Sequence, residues 1–586
     1  MEQEIRAVVV GWQKSDKALI INSVLGVEVD SGEYFVKSVK RDGEVNGRKI
    51  SLINTPCWWE IYGLQDSPAV VKQELVCSVF LCEPGPHVFL LVINLSLPFT
   101  KENRFSIEKH LGLFGERIWR HTIVIFTGAD KSIEQQIKNQ GEDLQQIIQR
   151  CRERYHAFET ENKSAGVQQL LIKIDDVVAA NNGKHFETHD NVLLEIKKNR
   201  EVIKERAKAR QKWLQDKRDA LKEIKDECVA PLSKLRIVLL GWIMSGKSSA
   251  ANTIFHNKTF EIEDTKKCTK YSGVVNDRNV TVLDTPGWWK YFAPKFNPKF
   301  AQTSILESVG QSQQMKCPHA MILVIPVDTS FSSEQKQIIK QYMTTLGDDV
   351  WRHTIVLFTW GDRFPDISIE QHIESEGEAL QWLVEKCRNR YHVFDNTDKK
   401  NRDQVTELLQ KIDEMVAENS LFCFNTQCAA EVNRYETDTQ QDEELSLNTE
   451  QLLMLMFQEL KNRHKGMKWK LQELEMDITG CIEAKSDQSM EYPIELKADE
   501  KLMEKVRREG SRWEAILMDG ILNIQNPEAS CDENMSVNEK MSWWFQKYEE
   551  YSPSETSGYK TEQTDPVEHP QNLESDNTSE LDENVC

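Results

Sequence analysis

No apolar run in this 586-residue chain approaches the roughly 20 residues that a helix needs to span a bilayer. Thirteen cysteines are scattered without a repeated C-x-x-C spacing and no secretory leader precedes them, which argues for reduced thiols in the cytosol or nucleus. Cys423 and Cys428 could be two metal ligands, but no matching His/Cys pair follows them. Met1-Glu2 excludes N-myristoylation and Asn584-Val585-Cys586 is not a prenylation box, so the expectation is a cytoplasmic chain without a membrane anchor of its own. Arginine is missing altogether from Glu528 onward, where 15 acidic residues face 3 lysines. More than half of the net charge of −21 therefore belongs to the tail, which rules that tail out as a nucleic-acid surface, and no nucleic-acid partner is expected. What is present, 39% hydrophobic and 28% charged residues, suits about three to four soluble domains with solvated helix or tail.

One unit is written twice. Gly11-Trp12 recurs as Gly241-Trp242 and Asn54-Thr55-Pro56-Cys57-Trp58-Trp59 as Asp284-Thr285-Pro286-Gly287-Trp288-Trp289, both displaced by 230 positions. Trp119-Arg120-His121-Thr122 returns as Trp351-Arg352-His353-Thr354 after 232, and Tyr155-His156 as Tyr391-His392 after 236. Near-constant offsets with slow drift indicate two homologous domains, and a period this long excludes a solenoid. In the second copy, residues 235–240, 279–283, 320–327 and 354–359 read as strands of nearly continuous apolar character. Strands buried on both faces look like this, so each copy is predicted as an α/β unit with a mostly parallel sheet between helix layers.

Between the copies, Asn191 to Glu227 contains no proline or glycine. Its heptad a/d positions are Leu193, Ile196, Arg200, Ile203, Ala207, Arg210, Leu214, Lys217, Leu221 and Ile224; seven are apolar and the rest basic. That pattern predicts a long amphipathic helix, either a spacer packed on the first domain or one strand of a weak coiled coil. After about Asn419 the α/β alternation stops; 452–474 and 502–524 read as helices, the first opened by Asn448 or Thr449. The cluster from Leu452 to Phe457 suits either a partner surface or a face packed on the neighbouring domain. Beyond Pro527 the composition is that of a disordered segment, in which Trp543-Trp544-Phe545 is a candidate short binding motif. The expected division is 3–185, 188–230, 232–420, 446–525 and 526–586.

The chemistry concentrates in the second copy. Gly241-Trp242-Ile243-Met244-Ser245-Gly246-Lys247-Ser248-Ser249 follows a short strand and matches G-x-x-x-x-G-K-[ST]. The glycines let backbone N–H groups wrap a phosphate chain at a helix N-terminus, Lys247 reaches the β/γ-phosphates, and Ser248 ligates Mg²⁺. Asp284 ends the next strand and can hold Mg²⁺ through a water, while the Gly287 N–H can meet a γ-phosphate. In Phe358-Thr359-Trp360-Gly361-Asp362, Asp362 stands where a carboxylate accepts the two N–H groups of guanine that adenine lacks, and Trp360 replaces the usual lysine.

Together with Pro318-His319-Ala320, Phe331-Ser332-Ser333-Glu334, Arg352-His353-Thr354 and Arg390-Tyr391-His392-Val393-Phe394-Asp395-Asn396, these motifs resemble the immunity-associated nucleotide-binding proteins, the GTPase IMAP or AIG1 family. The resemblance covers 232–418 well and 3–185 in weaker form. It implies two tandem P-loop domains of Ras-like fold related to septins and chloroplast import GTPases. It also implies GTP/GDP and Mg²⁺ as ligands, GTP-dependent homo- or hetero-oligomerisation through the G domains, and work in immune cells, often on intracellular membranes or lipid droplets. By position, Thr265 or else Thr269 would be the switch threonine that closes on Mg²⁺, so that Lys247 and Thr265 act on the reacting phosphate. Thr359 and Asn396 would help hold the base. Trp288 stands where many small GTPases carry a water-orienting glutamine; an indole cannot do that work, so slow hydrolysis is predicted.

The first copy keeps the scaffold and loses the ligands. Asp16-Lys17-Ala18 stands for Gly246-Lys247-Ser248, Asn54 for Asp284 and Cys57 for Gly287, although Asp130 keeps the base-reading carboxylate. It is predicted to be a pseudo-GTPase that serves in docking or dimerisation. A nucleotide-independent scaffold and an ATP-using enzyme are the competing readings.

Overall fold

The computed structural model describes residues 4–13, 15–27, 36–128, 133–158, 163–187, 190–225, 232–256, 268–294, 318–398, 401–419, parts of 452–463, and 500–523. The first domain has strands β1 (Glu4–Val10), β2 (Val39–Val45), β3 (Arg48–Asn54), β4 (Val88–Asn94), β5 (Thr122–Thr127) and β6 (Tyr155–Ala157), in the sheet order β2-β3-β1-β4-β5-β6. In the second, β7 (Lys234–Leu240), β8 (Thr269–Val275), β9 (Arg278–Asp284), β10 (Ala320–Pro326), β11 (Thr354–Thr359) and β12 (Tyr391–Val393) repeat that order as β8-β9-β7-β10-β11-β12. Among the described residues only the β2–β3 and β8–β9 pairs are antiparallel. This is the mostly parallel α/β sheet that the apolar runs predict, and β10, apolar at nearly every position, is buried along its whole length. Side chains on the two faces of each sheet enter different cores, as expected where helices cover both.

The repeat persists in its details. Thr100 and Ser332, 232 positions apart, each form a capping box at the start of a helix. Trp58 stacks on His110 with ring centroids 4.6 Å apart, and at the equivalent place Trp288 stacks on Tyr342 at 4.4 Å.

The helix Asp190–Lys225 spans the predicted linker. Every a/d position from Ile196 to Lys217 is buried or half-buried. Its principal neighbour is the helix Ile369–Glu376 of the second domain, so the expectation of a spacer packed on the first domain is too narrow. The basic interruptions of the heptad account for this. Arg200 pairs with Glu74 of the first domain, whereas Arg210 pairs with Glu374 at 2.7 Å and Lys217 with Glu418 at 3.1 Å in the second.

The two domains also touch directly. Tyr291 Oη donates to Asp66 Oδ1 at 2.8 Å, the Ser330 N–H donates to the Asp66 carbonyl at 3.0 Å, and the Ala69 N–H donates to Glu376 Oε1 at 2.5 Å. The helix Glu500–Asn523 lies over this seam: Arg508 pairs with Asp66 of one domain at 2.8 Å and with Glu334 of the other at 3.0 Å. Leu452, Leu455 and Met456 are helical and buried, which favours the packed-face reading of that cluster. Residues 464–499, Asn448, Thr449, the tail with Trp543-Trp544-Phe545, and Cys423 and Cys428 lie outside the described residues. Among the described residues no helix is long and apolar enough to cross a membrane.

Candidate nucleotide site

The loop of the second domain leaves β7 at Gly241 and enters the helix Lys247–Phe255. Gly246 sits at φ 91°, where a Cβ would be strained and would stand 3.0 Å from Thr359 Oγ1. That close approach is used, because Thr359 at the end of β11 donates its hydroxyl to the Ser245 carbonyl at 2.8 Å. Met244 is also left-handed, at φ 59°. Lys247 is buried and its ammonium donates to the Trp242 carbonyl at 3.0 Å. Burial pushes its pKa down to about 8, Asp284 opposing the shift and Arg512 adding to it. Ser248 Oγ donates to Asp284 Oδ2 at 2.6 Å, which brings together the hydroxyl and carboxylate that a magnesium ion would share. Ser249 accepts the Thr253 hydroxyl on its carbonyl at 3.0 Å, tying the first helical turn.

The D-T-P-G segment folds back onto this loop. Thr285 Oγ1 donates to the Leu239 carbonyl at 2.6 Å, the Ile243 N–H to the Trp288 carbonyl at 2.7 Å, and the Trp288 N–H to the Gly241 carbonyl at 3.4 Å. Gly287 lies so close that a Cβ would overlap the Ile243 backbone, which is why glycine is needed there. Trp288 is thus a packing residue, bridged to Trp242 and stacked on Tyr342. Repeated tryptophans at 12/242 and 58/288 were the visible signal for this bridge, but their mutual pairing is a tertiary fact.

At the base end Trp360 adopts φ 61°, and its N–H donates to Asn396 Oδ1 at 2.9 Å. Asn396 is therefore in place to orient this turn, and its amide also reaches Thr253 Oγ1 at 3.4 Å. The Arg363 guanidinium lies 4.9 Å from the Trp360 ring centroid. Asp362 Oδ1 is shut off from solvent and has no hydrogen-bond partner among the described residues. Burial, with Asp395 adding and Arg363 opposing, raises the Asp362 pKa to about 6. An acceptor left unpaired at this position fits a guanine edge that brings two N–H donors. Thr265 lies outside the described residues, while Thr269 opens β8 directly across the ladder from Asp284.

In the first domain the same space is filled from within. Asp16, at φ 57°, points its carboxylate at Thr127, the counterpart of Thr359: Asp16 Oδ2 accepts from Thr127 Oγ1 at 2.7 Å and from Asn94 Nδ2 at 3.0 Å. Lys17 is buried with its ammonium on the Thr55 carbonyl. Asp130 lies outside the described residues.

Sequence reasoning missed Arg512. From the helix Glu500–Asn523 it donates Nη1 to the Ile243 carbonyl at 2.7 Å and Nη2 to Glu509 Oε1 at 2.5 Å. Nothing local in Arg507-Arg508-Glu509-Gly510-Ser511-Arg512-Trp513 announces a partner about 270 positions upstream.

A model of the AIG1 family matches residues 5–207 and 235–444. The human "GTPase IMAP family member 8" is 25% identical over 438 residues, which cover 71% of this chain and 63% of that protein. The Arabidopsis thaliana "Immune-associated nucleotide-binding protein 10" is 24% identical over 283 residues, 46% of this chain and 58% of that one. The chain thus spans less than two thirds of the length of these relatives. Among solved structures, Toc33 from Arabidopsis thaliana in complex with GDP and Mg²⁺ aligns over 37% of this chain and 96% of its own, at 17% identity and a TM-score of 0.28.

Proposed function

The chain belongs to the AIG1 family, and from that premise we propose that its second domain binds GTP and GDP with Mg²⁺, hydrolyses GTP slowly, and uses the nucleotide state to govern assembly through G domains. The observation that carries this reading is the conjunction of an undamaged phosphate loop, the Ser248–Asp284 pair at 2.6 Å and the unpartnered Asp362 Oδ1. Gly241 to Ser249 would wrap the phosphates, with Lys247 supplying positive charge to the β/γ oxygens. Ser248, and Asp284 through a water, would hold Mg²⁺, whose charge offsets that of the triphosphate. Gly287, Thr359, Asp362 and Asn396 would complete the γ-phosphate and base ends, and Thr265 would close on the metal. Slow turnover follows from Trp288, which is committed to packing and has no group to orient water.

The first domain acts as a pseudo-GTPase and built-in partner: it already covers the second domain beside Tyr291 and Ser330. Further homo- or hetero-oligomeric contacts, and attachment to intracellular membranes or lipid droplets through partners of a cytoplasmic chain, are part of the same reading.

Equilibrium binding to the full chain tests it. Fluorescent GDP should bind in Mg²⁺, be displaced by GTP and not by ATP at equal concentration, and be lost on Asp362→Ala. Displacement by ATP as efficiently as by GTP would refute the guanine assignment, and absence of binding would return the chain to the scaffold class.

A further inference from the structure

The guanidinium of Arg512 is 1% exposed and its pair with Glu509, itself 0% exposed, is fully buried. Such a pair is costly to form: each ion loses several kcal/mol of hydration, at an order of magnitude, and recovers it only if its hydrogen-bonding capacity is filled. Here the capacity is not filled. Arg512 Nε has no partner among the described residues, nor does Glu509 Oε2. Arg512 Nη1 instead rests on the carbonyl of Ile243, third residue of the phosphate loop, whose N–H is held by the Trp288 carbonyl. A single residue of the loop is thus held at its N–H by Trp288, just after the D-T-P-G segment, and at its carbonyl by a helix some 270 positions away.

The surroundings say what the guanidinium would prefer. Arg512 adds its positive charge to the surroundings of the buried Lys247, the cation of the same loop. An anion bound at this loop would offset both charges and meet the Arg512 Nε donor that the carbonyl leaves idle. A phosphate oxygen carries charge that a carbonyl lacks and is the better acceptor for a guanidinium, whose planar fork can engage two oxygens at once. Ile243 packs directly against Gly287 of the D-T-P-G segment, the residue assigned to the γ-phosphate, which puts Arg512 at the terminal-phosphate end of the proposed site.

We propose that Arg512 is a γ-phosphate ligand supplied in cis: on binding of a nucleoside triphosphate it exchanges the Ile243 carbonyl for γ-phosphate oxygens, so that the helix Glu500–Asn523 is read into the nucleotide state. This rests on the assignment of the second domain as a guanine-nucleotide site. It also gives that helix a reason to lie across both domains. Arg508, one helical turn before Arg512, pairs with Asp66 of the first domain, so a displacement at the γ-phosphate is delivered to the inter-domain seam.

The test uses the full chain and two probes in Mg²⁺, GDP and the non-hydrolysable analogue GMPPNP, with wild type, Arg512→Ala and Arg512→Lys. Arg512→Ala should weaken GMPPNP about tenfold or more and leave GDP within about twofold; Arg512→Lys, which keeps the charge and loses the fork, should recover part of the difference. Because Arg512→Ala strands a buried Glu509, the paired change Arg512→Met with Glu509→Gln removes both charges in similar volume and should show the same selective loss. Equal weakening of both probes, or of neither, overturns the inference while leaving the nucleotide site intact. Failure of wild type to bind GDP removes the site on which it rests.

Discussion

Two matching loops on one scaffold diverge most visibly beside a shared threonine: Gly246 lets Thr359 approach, and Asp16 puts a carboxylate into the same gap against Thr127. In one case the threonine hydroxyl shapes a loop that is open to an anion, in the other it solvates an internal anion. Burial raises the Asp16 pKa, the bond from Thr127 opposing the shift, and the carboxyl stands where a ligand's oxygens would go. The neighbouring lysines follow. Lys247 sits on a loop carbonyl within the field of Asp284, whereas Lys17 has turned to Thr55. In the first domain internal contacts thus stand where a ligand's would be, and the fold is intact.

Transferring the lesion should give the largest effect. Gly246→Asp imposes φ 91° on a residue with a Cβ, crowds Thr359 and places a carboxylate beside phosphate; GDP affinity of the full chain should fall by about a hundredfold or more in a fluorescence titration. Retained affinity would mean that the loop lesion is not what separates the domains. Lys247→Ala removes a buried cation and should cost about tenfold to a hundredfold in GTP affinity, with a smaller loss for GDP. The same change at Lys17 should leave binding unaltered.

A pH dependence comes next. Burial raises the Asp362 pKa to about 6, and two guanine N–H donors would stabilise its charged form, so binding is expected to lower that pKa. Affinity is then highest above pH 7 and falls as the carboxyl takes up its proton, by about tenfold between pH 7 and pH 5. Asp362→Asn should flatten the profile; an unchanged slope in that variant would assign the titration to another group. The smallest effect is expected from Asp16→Gly with Ala18→Ser. Losing the bonds to Thr127 and Asn94 should lower stability by about 1–2 kcal/mol in denaturant unfolding, and no nucleotide binding should appear, because Lys17 stays on Thr55 and Cys57 still stands for Gly287.

Much of this was legible in the chain because the strands are continuous apolar runs and the repeat aligns the ligands with their replacements. β7, β9, β10 and β11 begin and end within one residue of the runs that predict them. The heptad of the linker was equally legible as a face, since Ile196 to Lys217 mark its packed side; its partner was not, because a seam does not encode whether it meets a second helix of its kind or Ile369–Glu376. Trp360 illustrates a similar limit. Its left-handed turn and the grip of Asn396 on its N–H depend on two segments 36 positions apart. Arg512 was invisible for the same reason on a longer scale: its role comes from where a helix docks, and neither charge nor spacing within that helix records it.

The central claim is that a chain carrying the fold twice carries one nucleotide site. Counting guanine nucleotide bound per chain at saturation, for wild type, Lys17→Ala and Lys247→Ala, tests it most directly. The account predicts a stoichiometry of about one, with an affinity unchanged by Lys17→Ala and weakened about tenfold to a hundredfold by Lys247→Ala. Two equivalents in wild type, or a nucleotide that survives Lys247→Ala and is lost on Lys17→Ala, would contradict it.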